Sequence, residues 1–362
     1  MIRVLNVISG LNKAGTEAVV MNYYRHIDRT KIQYDFLVLD SSDNFYYRRE
    51  IETLGGKIYK IPAFSNNPIK NIIAQKRFFK KFHYKIVEVH SPSALRYAYC
   101  KLAKKSGAKV IFHVHNTCKQ QGILIKYARK KLQKYCDEFV TCSQYAAKSV
   151  LDKFADKVVF NAIDGTKYAY NQTLRKKIRE YYGIDGKVRL IGNIGRFCDQ
   201  KNQLFLLRAF AEASKIDDNL RLFLRGSGND SEIQAQIHGE GLESKVIVSA
   251  EGSDSYQSSE LYNAFDVFFL PSLYEGLPVV AVEAQANLLK IIASDTITDE
   301  IVISGGTKRI PLDIDLWVKE MLNEENFKRL SQSEFDFGKS NYNIVEQAKK
   351  REKDYLRMCT GE

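Results

Sequence analysis

Residues 266–293 read DVFFLPSLYEGLPVVAVEAQANLLKIIA and set the pattern that the rest of the chain repeats. The apolar runs at 266–270 and 290–293 have the composition of buried strands. The segment at 278–287 has a helical pattern and begins at Pro278, a residue favoured at the first position of a helix. Because parallel strands need a crossover connection, this stretch predicts two parallel strands joined by a helix.

The same alternation of apolar runs and helical patterns occupies both halves of the chain. Further strands are predicted at 2–8, 34–39, 85–89, 109–114, 138–142, 188–194, 220–225 and 245–248. Helices are predicted near 16–28, 45–54, 69–82, 93–106, 122–135, 143–152, 201–214, 230–238 and 258–264. Apolar strands separated by helices indicate an α/β fold whose parallel sheets are covered on both faces. Two such series predict two Rossmann-like, doubly wound domains, with ligands at the carboxyl ends of the strands in the cleft between them.

The length of 362 residues suits two domains of ordinary size. We place the first over 1–165 and the second over 166–342, with the boundary in the turn-prone stretch after Asn161–Asp164. The final helical stretch, about 343–362, is a candidate to pack back on the first domain. With 44% hydrophobic and 27% charged residues, the composition is globular and excludes a disordered or collagen-like chain.

The formal net charge of +12 is unevenly distributed along the chain. Residues 1–165 carry a net charge of +16, and residues 166–362 carry a net charge of −4. Glu88 is the only acidic residue between positions 53 and 136, a stretch that holds 19 lysines and arginines. The first half is therefore expected to face an anionic partner, for which an anionic membrane surface and a nucleic acid are the alternatives.

The sequence shows no transmembrane stretch and no zinc-like motif. The N-terminal residues MIRVLNVISGL predict a buried strand that runs into a glycine turn, and this segment is too short to span a bilayer. The six cysteines form no CxxC pair. We therefore expect reduced thiols of a cytoplasmic protein, several of them buried in the core.

Two features of the first domain are candidates for chemistry. In the loop after the first strand, Gly15 lies where a helix begins, and free N–H groups there suit a phosphate or a transition-state anion. The alternative is a plain turn and helix cap. His113 and His115 face the same side of a later strand, but no local spacing supplies a third metal ligand. We expect His115 to bind a ligand at the strand end and His113 to be a hydrogen-bonded core residue.

Loops after the strands of the second domain carry further candidates. Arg196 and Lys201 lie between a strand and an apolar helix, where an arginine fork and a lysine point charge can flank a diphosphate. The alternative is a pair of solvated loop cations. Gly226 lies in a second small-residue loop, where it either permits the close approach of a ligand or forms a plain turn.

The segment that begins at Pro271 is the most informative. Glu275 is expected in the loop above a helix N-terminus, and Glu283 in the second turn of that helix. The amides of Gly276 and Leu277 are expected to point at an anion. Two carboxylates eight residues apart can then bind hydroxyl groups on either side of a diphosphate, one set on a sugar and the other on a ribose. The alternative is that both acids only complement the helix dipole.

These residues together resemble glycosyltransferase family 4, a retaining group with the GT-B fold, and the resemblance covers nearly the whole chain. Its most specific part is the E-x7-E segment from Glu275 to Glu283. Supporting matches are Gly195-Arg196 with Lys201, Asn161–Asp164, Gly226-Ser227-Gly228 and the loop that ends Gly15-Thr16-Glu17. The strings EAVVMNYYRHIDRTKIQYDFLV and HVHNT resemble the bacterial branch that builds capsular polysaccharides and exopolysaccharides.

The resemblance implies a role for each candidate on the nucleotide side. Arg196 and Lys201 would neutralise the diphosphate of a nucleotide sugar, and Glu283 would bind the ribose hydroxyls. Because these two cations do the work of a metal ion, the resemblance implies no metal and no other cofactor. Gly226 would belong to the same substrate-binding set.

It implies a second set of roles around the donor sugar. Glu275, with the amides of Gly276 and Leu277, would hold that sugar. His115 would contact it near the reacting carbon, and Gly15 would let a loop of the acceptor domain approach the donor phosphates. In this family, retention is assigned to a front-face displacement in which the leaving phosphate assists deprotonation of the acceptor. Catalysis would then rest on charge stabilisation and positioning.

The implied partners are a nucleotide sugar with UDP as the expected carrier, a lipid-linked saccharide acceptor and the anionic inner face of the bacterial membrane. A sugar-nucleotide epimerase with the GT-B fold is an alternative that needs no acceptor. A nucleic-acid binder is a third hypothesis, in which aromatics of Arg77–Tyr84 stack on bases, but no recognition motif accompanies them. The competing interpretation of that stretch is a solvated helix face with its aromatics in the core.

The sequence departs from the family pattern at two places. Ala14-Gly15 stands where the family has Gly-Gly, which is expected to tighten the acceptor loop. After EAQA, related enzymes show a Gly-Leu-Pro turn, whereas this chain has Asn287-Leu-Leu-Lys290. We expect the loss of Gly and Pro to alter that helix end and, with it, the activity.

Overall fold

The computed structural model describes residues 1–12, 15–40, 45–117, 121–250, 252–253 and 255–360. Ala14, one of the departures from the family pattern, lies outside these residues. The chain divides into two compact units. Unit 1 comprises Met1–Ile163 and the C-terminal segment that begins at Asn341, and unit 2 comprises Asp164–Ser340.

Unit 1 is built on a seven-stranded parallel sheet. Its strands are β1 (Ile2–Ile8), β2 (Ile32–Val38), β3 (Ile58–Lys60), β4 (Ile86–His90), β5 (Lys109–Val114), β6 (Glu138–Thr141) and β7 (Lys157–Val158). Its helices up to the unit boundary are α1 (Gly15–His26), α2 (Arg48–Thr53), α3 (Pro68–Lys81), α4 (Tyr97–Lys105), α5 (Ile123–Tyr135) and α6 (Gln144–Leu151). The strand order is β3-β2-β1-β4-β5-β6-β7.

Unit 2 is built on a six-stranded parallel sheet. Its strands are β8 (Arg189–Ile194), β9 (Leu220–Gly226), β10 (Val246–Ala250), β11 (Val267–Leu270), β12 (Lys290–Ser294) and β13 (Thr307–Ile310). Its helices are α7 (Gln172–Tyr181), α8 (Gln203–Ile216), α9 (Ser231–Gly239), α10 (Ser258–Leu261), α11 (Val279–Ala286) and α12 (Ile314–Leu322). The strand order is β10-β9-β8-β11-β12-β13.

The last helix, α13 (Ile344–Thr360), returns to unit 1. The carbonyl of Ile163 accepts from the Ile344 amide at 3.1 Å, and the Ile163 amide donates to the Tyr342 carbonyl at 2.9 Å. Ile344 and Tyr355 are fully buried, so the helix contributes to the core of unit 1. Within the described residues, no helix combines the length and the apolar content needed to cross a bilayer.

The predicted fold class is confirmed, because each unit has a parallel sheet in which the order reverses next to its first strand. β11 and β12 pair in parallel across α11, with Val267 opposite Lys290 and Leu270 opposite Ala293. The prediction omitted five elements: β3, β7 and β13, which are short strands at sheet edges, and the helices α7 and α12.

We expected the loss of Gly and Pro after EAQA to alter the end of α11, but the helix ends in a regular turn. The Leu288 amide donates to the Gln285 carbonyl at 2.9 Å, and the Leu289 amide donates to the Ala284 carbonyl at 3.0 Å. This is the Schellman pattern, which requires a left-handed residue just after the helix cap. Leu288 takes that conformation with φ of +63°. The turn is therefore preserved, and a leucine carries the backbone strain that a glycine would avoid.

This strain predicts that glycine is more stabilising than alanine at position 288, the reverse of their usual order. Leu288→Gly and Leu288→Ala both remove the side chain, but only alanine retains the steric cost of the left-handed conformation. We expect the glycine variant to be more stable than the alanine variant by about 1 kcal/mol. Urea unfolding followed by far-UV circular dichroism measures the difference. An alanine variant as stable as the glycine variant would show that the left-handed turn carries no strain.

Candidate functional site

The loops after β8 and β11 meet at the carboxyl edge of the unit 2 sheet. The Lys201 ammonium, from the loop after β8, pairs with the carboxylate of Glu275, from the loop after β11. Both side chains are largely buried, with 15% and 8% of their surfaces exposed. Because a buried charge needs a partner, this contact holds the cation and the carboxylate in place. The structure thus brings together two residues that the sequence placed on separate loops.

Further hydrogen bonds join the same two loops. The side chain of Gln200 donates to the Tyr274 carbonyl at 2.9 Å and to the second oxygen of Glu275 at 3.3 Å. The Leu273 amide donates to the Gln200 carbonyl at 2.9 Å. Asn202, which has a left-handed backbone with φ of +55°, donates to the carbonyl of Pro271 at 3.2 Å. The position of the Lys201 and Glu275 pair is therefore fixed from both loops.

The predicted residues before α11 lie at its N-terminus as expected. Pro278 is the N-cap residue of α11. Its side chain makes no cap hydrogen bond, so it accepts from none of the backbone amides in the first turn. Gly276 and Leu277 are buried in the preceding turn. Arg196 is exposed on the loop after β8. A helix start that lacks a cap from its N-cap side chain can stabilise an anion.

The structure gives a packing reason for the glycine at 226. A Cβ atom on Gly226 would overlap the carbonyl oxygen of Gly195 and would approach the ring of Phe197 to 2.9 Å. The Gly195 amide donates to the Arg225 carbonyl at 2.9 Å, so the ends of β8 and β9 are in direct contact. Glycine is required at 226 because the chain's own backbone, rather than a ligand, fills the space of a side chain.

Glu283 lies in the second turn of α11, as predicted, and two tyrosines orient it. The hydroxyl of Tyr168 donates to Oε1 at 2.8 Å, and the hydroxyl of Tyr262 donates to Oε2 at 2.7 Å. Tyr262 is fully buried, and its burial together with the Glu283 charge raises the pKa of its hydroxyl well above the ordinary value. The tyrosine therefore stays a proton donor to the carboxylate.

Unit 1 contains a second polar cluster, which is buried in its core. Glu88, on β4, accepts from the Arg351 guanidinium and from the Tyr355 hydroxyl, both at 2.6 Å. Tyr355 also shares a hydrogen bond of 3.0 Å with Tyr34. Burial opposes the charge on Glu88, but the Arg351 charge and the hydrogen bond from His113 hold the pKa of the carboxyl well below its ordinary value.

Three histidines complete this cluster, and sequence spacing predicted only two of them. His113 and His115 have stacked rings with centroids 3.8 Å apart, and His90 lies beside them at the end of β4. His113 shares a hydrogen bond of 2.7 Å with Glu88, while His90 and His115 share one of 2.8 Å. Burial lowers the pKa of all three, that of His90 to about 3, so that the rings are neutral near pH 7.

His115 and Gly15 lie where the sequence placed them, His115 just after β5 and Gly15 at the first position of α1. His115 is buried, and its Nδ1 makes no hydrogen bond within the described part of the chain. A Cβ atom on Gly15 would meet no described residue outside its own helix within 4 Å. The expectation that His113 is a hydrogen-bonded core residue is met at one ring nitrogen only. Its Nδ1 is bonded to Glu88, but its buried Nε2 has no partner among the residues described.

Several residues of both clusters escaped the sequence analysis. They are His90, Glu88, Arg351, Tyr355, Tyr168 and Tyr262. His90 had a signal, because it directly follows the strand predicted at 85–89, which the structure pairs with β5. The tyrosines and Arg351 had none, since they reach their partners from distant segments of the chain.

The Glu88 ion pair predicts a strong and non-additive effect on stability. Arg351→Met leaves a buried carboxylate without its cation, and we expect a loss of about 3–5 kcal/mol of unfolding free energy. The double variant Glu88→Gln/Arg351→Met removes both charges and should lose less than the sum of the single changes. Urea unfolding of the parent, Arg351→Met, Glu88→Gln and the double variant measures the coupling free energy between the two side chains. Additive losses would show that the two side chains do not depend on each other.

Two family models match the chain, one for each part. "Glycosyltransferase Family 4" matches residues 14–167, and "Glycosyl transferases group 1" matches residues 175–351. The two matches together span most of the chain, and their border falls near the boundary between the units at residue 163.

Curated relatives and solved structures extend these matches. The chain is 32% identical over 313 residues to EpsF of Bacillus subtilis (strain 168), named as a glycosyltransferase, covering 83% of this chain and 80% of EpsF. It is 26% identical over 285 residues to an Escherichia coli enzyme named UDP-Gal:alpha-D-GlcNAc-diphosphoundecaprenol alpha-1,3-galactosyltransferase, covering 72% and 68% of the two chains. The structure of Anabaena HepE in complex with UDP covers 98% of this chain and 100% of its own, with a TM-score of 0.79 at 14% identity. At this identity, the similarity to HepE shows a shared fold only.

Proposed function

This chain belongs to glycosyltransferase family 4 and has the GT-B fold, and on that premise we propose that it transfers a sugar from a UDP-sugar to a lipid-linked glycan acceptor. The observation that carries the proposal is the pairing of Lys201 with Glu275 beside the uncapped start of α11. The names of the relatives support the substrate classes, since the Escherichia coli enzyme uses UDP-Gal and a diphosphoundecaprenol acceptor. Bacterial surface polysaccharide synthesis is the process we assign to it.

The contacts in unit 2 fit a nucleotide-sugar donor. When a diphosphate binds, Lys201 can share its charge with a phosphate oxygen, which releases Glu275 to accept hydroxyl protons of the donor sugar. The exposed Arg196 supplies a second cation with a planar fork. Glu283, which two tyrosines orient, would accept from both ribose hydroxyls. Two cations and a helix N-terminus then neutralise the diphosphate without a metal ion.

The reaction we propose proceeds with retention of configuration. The bond from the anomeric carbon to the phosphate oxygen breaks, and the bond to the acceptor oxygen forms on the same face of the sugar. The acceptor proton passes to the leaving phosphate, which departs as UDP. Lys201, Arg196 and the first amides of α11 lower the barrier by stabilising the charge that develops on that phosphate. The role of His115 at the donor sugar stays a prediction, for which Nδ1 is the ring nitrogen to consider because Nε2 bonds to His90.

The donor assignment predicts how single variants bind UDP. Glu283→Gln removes a charged hydrogen-bond acceptor of the ribose, and we expect roughly tenfold to hundredfold weaker UDP binding in calorimetry. Glu275→Gln should weaken binding of the UDP-sugar more than binding of UDP, because its carboxylate faces the sugar. Glu212→Gln, an exposed carboxylate on α8, is the matched control and should bind as the parent does. Unchanged UDP affinity in Glu283→Gln would refute the donor site.

An epimerase and a transferase are separated by the need for an acceptor. Incubating the protein with UDP-sugars alone should leave the sugars unchanged, whereas an epimerase would yield the epimer. Two of the aromatics invoked by the nucleic-acid hypothesis are buried. Phe78 and Phe79 of α3 are buried, so they cannot stack on bases, and the basic residues around them form a solvated helix face.

We propose that unit 1 meets the anionic membrane surface through α5. The start of this helix exposes Ile123 and Leu124, at 84% and 72% of their surfaces, and Tyr127 is half exposed. Lys126 and Lys130 are exposed on the same helix. Apolar side chains flanked by lysines are the composition of a helix that lies in a membrane interface.

The membrane assignment predicts selective sedimentation with anionic vesicles. The parent chain should sediment with phosphatidylglycerol vesicles and much less with phosphatidylcholine vesicles. Lys126→Gln/Lys130→Gln should weaken the anionic binding by about 2 kcal/mol at low salt, or roughly 30-fold. Lys215→Gln/Lys328→Gln, with two exposed lysines of unit 2, is the control and should bind as the parent does. Equal sedimentation with both vesicle types would contradict the proposal.

A further inference from the structure

The histidine cluster of unit 1 has a geometry that the proposed reaction does not use. His90 and His113 are opposite each other in the register of β4 and β5, and His115 lies two residues beyond His113. One ring nitrogen from each residue lies within 4.8 Å of a ring nitrogen of the other two. A pair of histidines on one strand and a third on the adjacent strand can therefore converge on one point.

The outer contacts of two of these rings set their protonation. The Nδ1 of His113 lies 2.7 Å from a Glu88 oxygen, and the Nε2 of His90 lies 2.9 Å from the Oδ1 of Asn6. Both oxygens are acceptors, so these ring nitrogens carry the protons. The nitrogens on the opposite sides, Nε2 of His113 and Nδ1 of His90, are then lone pairs. A carboxylate or amide oxygen behind each histidine is the usual support of a metal ligand.

One of the three inward nitrogens has no partner within the described part of the chain, and the other two are bonded only to each other. The Nε2 of His113 is buried and makes no hydrogen bond to any described residue. The Nδ1 of His90 and the Nε2 of His115 lie 2.8 Å apart and share one hydrogen bond. The rings border a small cavity, together with Asn6 and Glu88. An unpartnered lone pair in a buried site costs free energy unless something occupies the space.

We propose that His90, His113 and His115 bind one divalent transition-metal ion, with zinc as the best fit to three imidazoles and a water molecule as the fourth ligand. Tetrahedral binding at about 2.0–2.1 Å brings ligand nitrogens to about 3.3 Å of each other, so the rings need to shift by about an ångström. In the metal-free molecule, the Nε2 of His115 donates a proton to the Nδ1 of His90, and this proton moves to the Nδ1 of His115 when the ion binds to Nε2. Glu88 supplies a negative charge behind His113.

The metal site shares His115 with the proposed donor contacts, but the inference does not rest on the proposed function. All three ligands come from the strands β4 and β5 or the residue after them, within unit 1. The diphosphate contacts proposed above come from unit 2 and need no metal ion. His115 can serve both roles, because a metal ion on Nε2 leaves Nδ1 as a proton donor.

The test is metal binding to the full chain without a histidine tag. After chelator treatment, the protein should bind one equivalent of Co²⁺ with the absorption spectrum of a tetrahedral site, and Zn²⁺ should displace it. His113→Gln should abolish this spectrum. Glu88→Gln, which keeps all three ligands, should weaken Zn²⁺ binding tenfold to hundredfold. His238→Gln alters an exposed histidine of α9 and should leave binding unchanged.

Two controls keep the result decisive. Circular dichroism and UDP binding show whether each variant is folded, and X-ray absorption of the Zn²⁺-loaded parent chain counts imidazole ligands without any variant. No Co²⁺ spectrum in the parent chain, binding that survives His113→Gln in a folded protein, or fewer than three imidazoles in the absorption data would overturn the proposal. A loss of binding in His238→Gln would place the metal at the surface and overturn it as well.

Discussion

The ion pair between Arg351 and Glu88 is the interaction on which unit 1 depends. It joins two residues that are 263 positions apart and are almost fully buried. Because either charge alone would be costly in the core, the last helix of the chain must lie over the first sheet. The other oxygen of Glu88 fixes His113. One carboxylate thus determines both where the C-terminal helix packs and how the histidine cluster is oriented.

The fold was largely predictable because a parallel sheet leaves a strong pattern in the sequence. Its central strands are buried on both faces and therefore form continuous apolar runs, such as IRVLNVI in β1. The strands β3, β7 and β13 were missed because edge strands pair on one side only and are short, and TKRI in β13 is mostly polar. The helix α12 had a detectable signal, since the side chain of Asp313 caps it at the Leu316 amide.

The candidate site was predictable only where one segment carries it. Glu275, Glu283 and the start of α11 fall within nine residues of one strand–loop–helix unit, whose geometry follows from the fold class. The tyrosines that orient Glu283 lie 115 and 21 residues before it, and no local pattern links them to it. At Leu288 the sequence suggested a change that the structure does not show. The leucine departs from the family pattern, yet the turn after α11 forms, because the hydrogen bonds of the helix end outweigh the cost of one strained residue.

The uneven charge of the chain is a property of surfaces rather than of either site. In the core of unit 1, Arg351 and Glu88 cancel each other, and the neutral histidines add no charge. The excess of +16 in the first 165 residues therefore lies on exposed helix faces such as those of α3 and α5. Unit 2 binds an anion, as we propose, with a few placed groups, Lys201 above all, and so needs no positive field of its own. The net charge thus describes the exposed surface of unit 1, and the paired charges describe the buried cluster of unit 1 and the candidate site of unit 2.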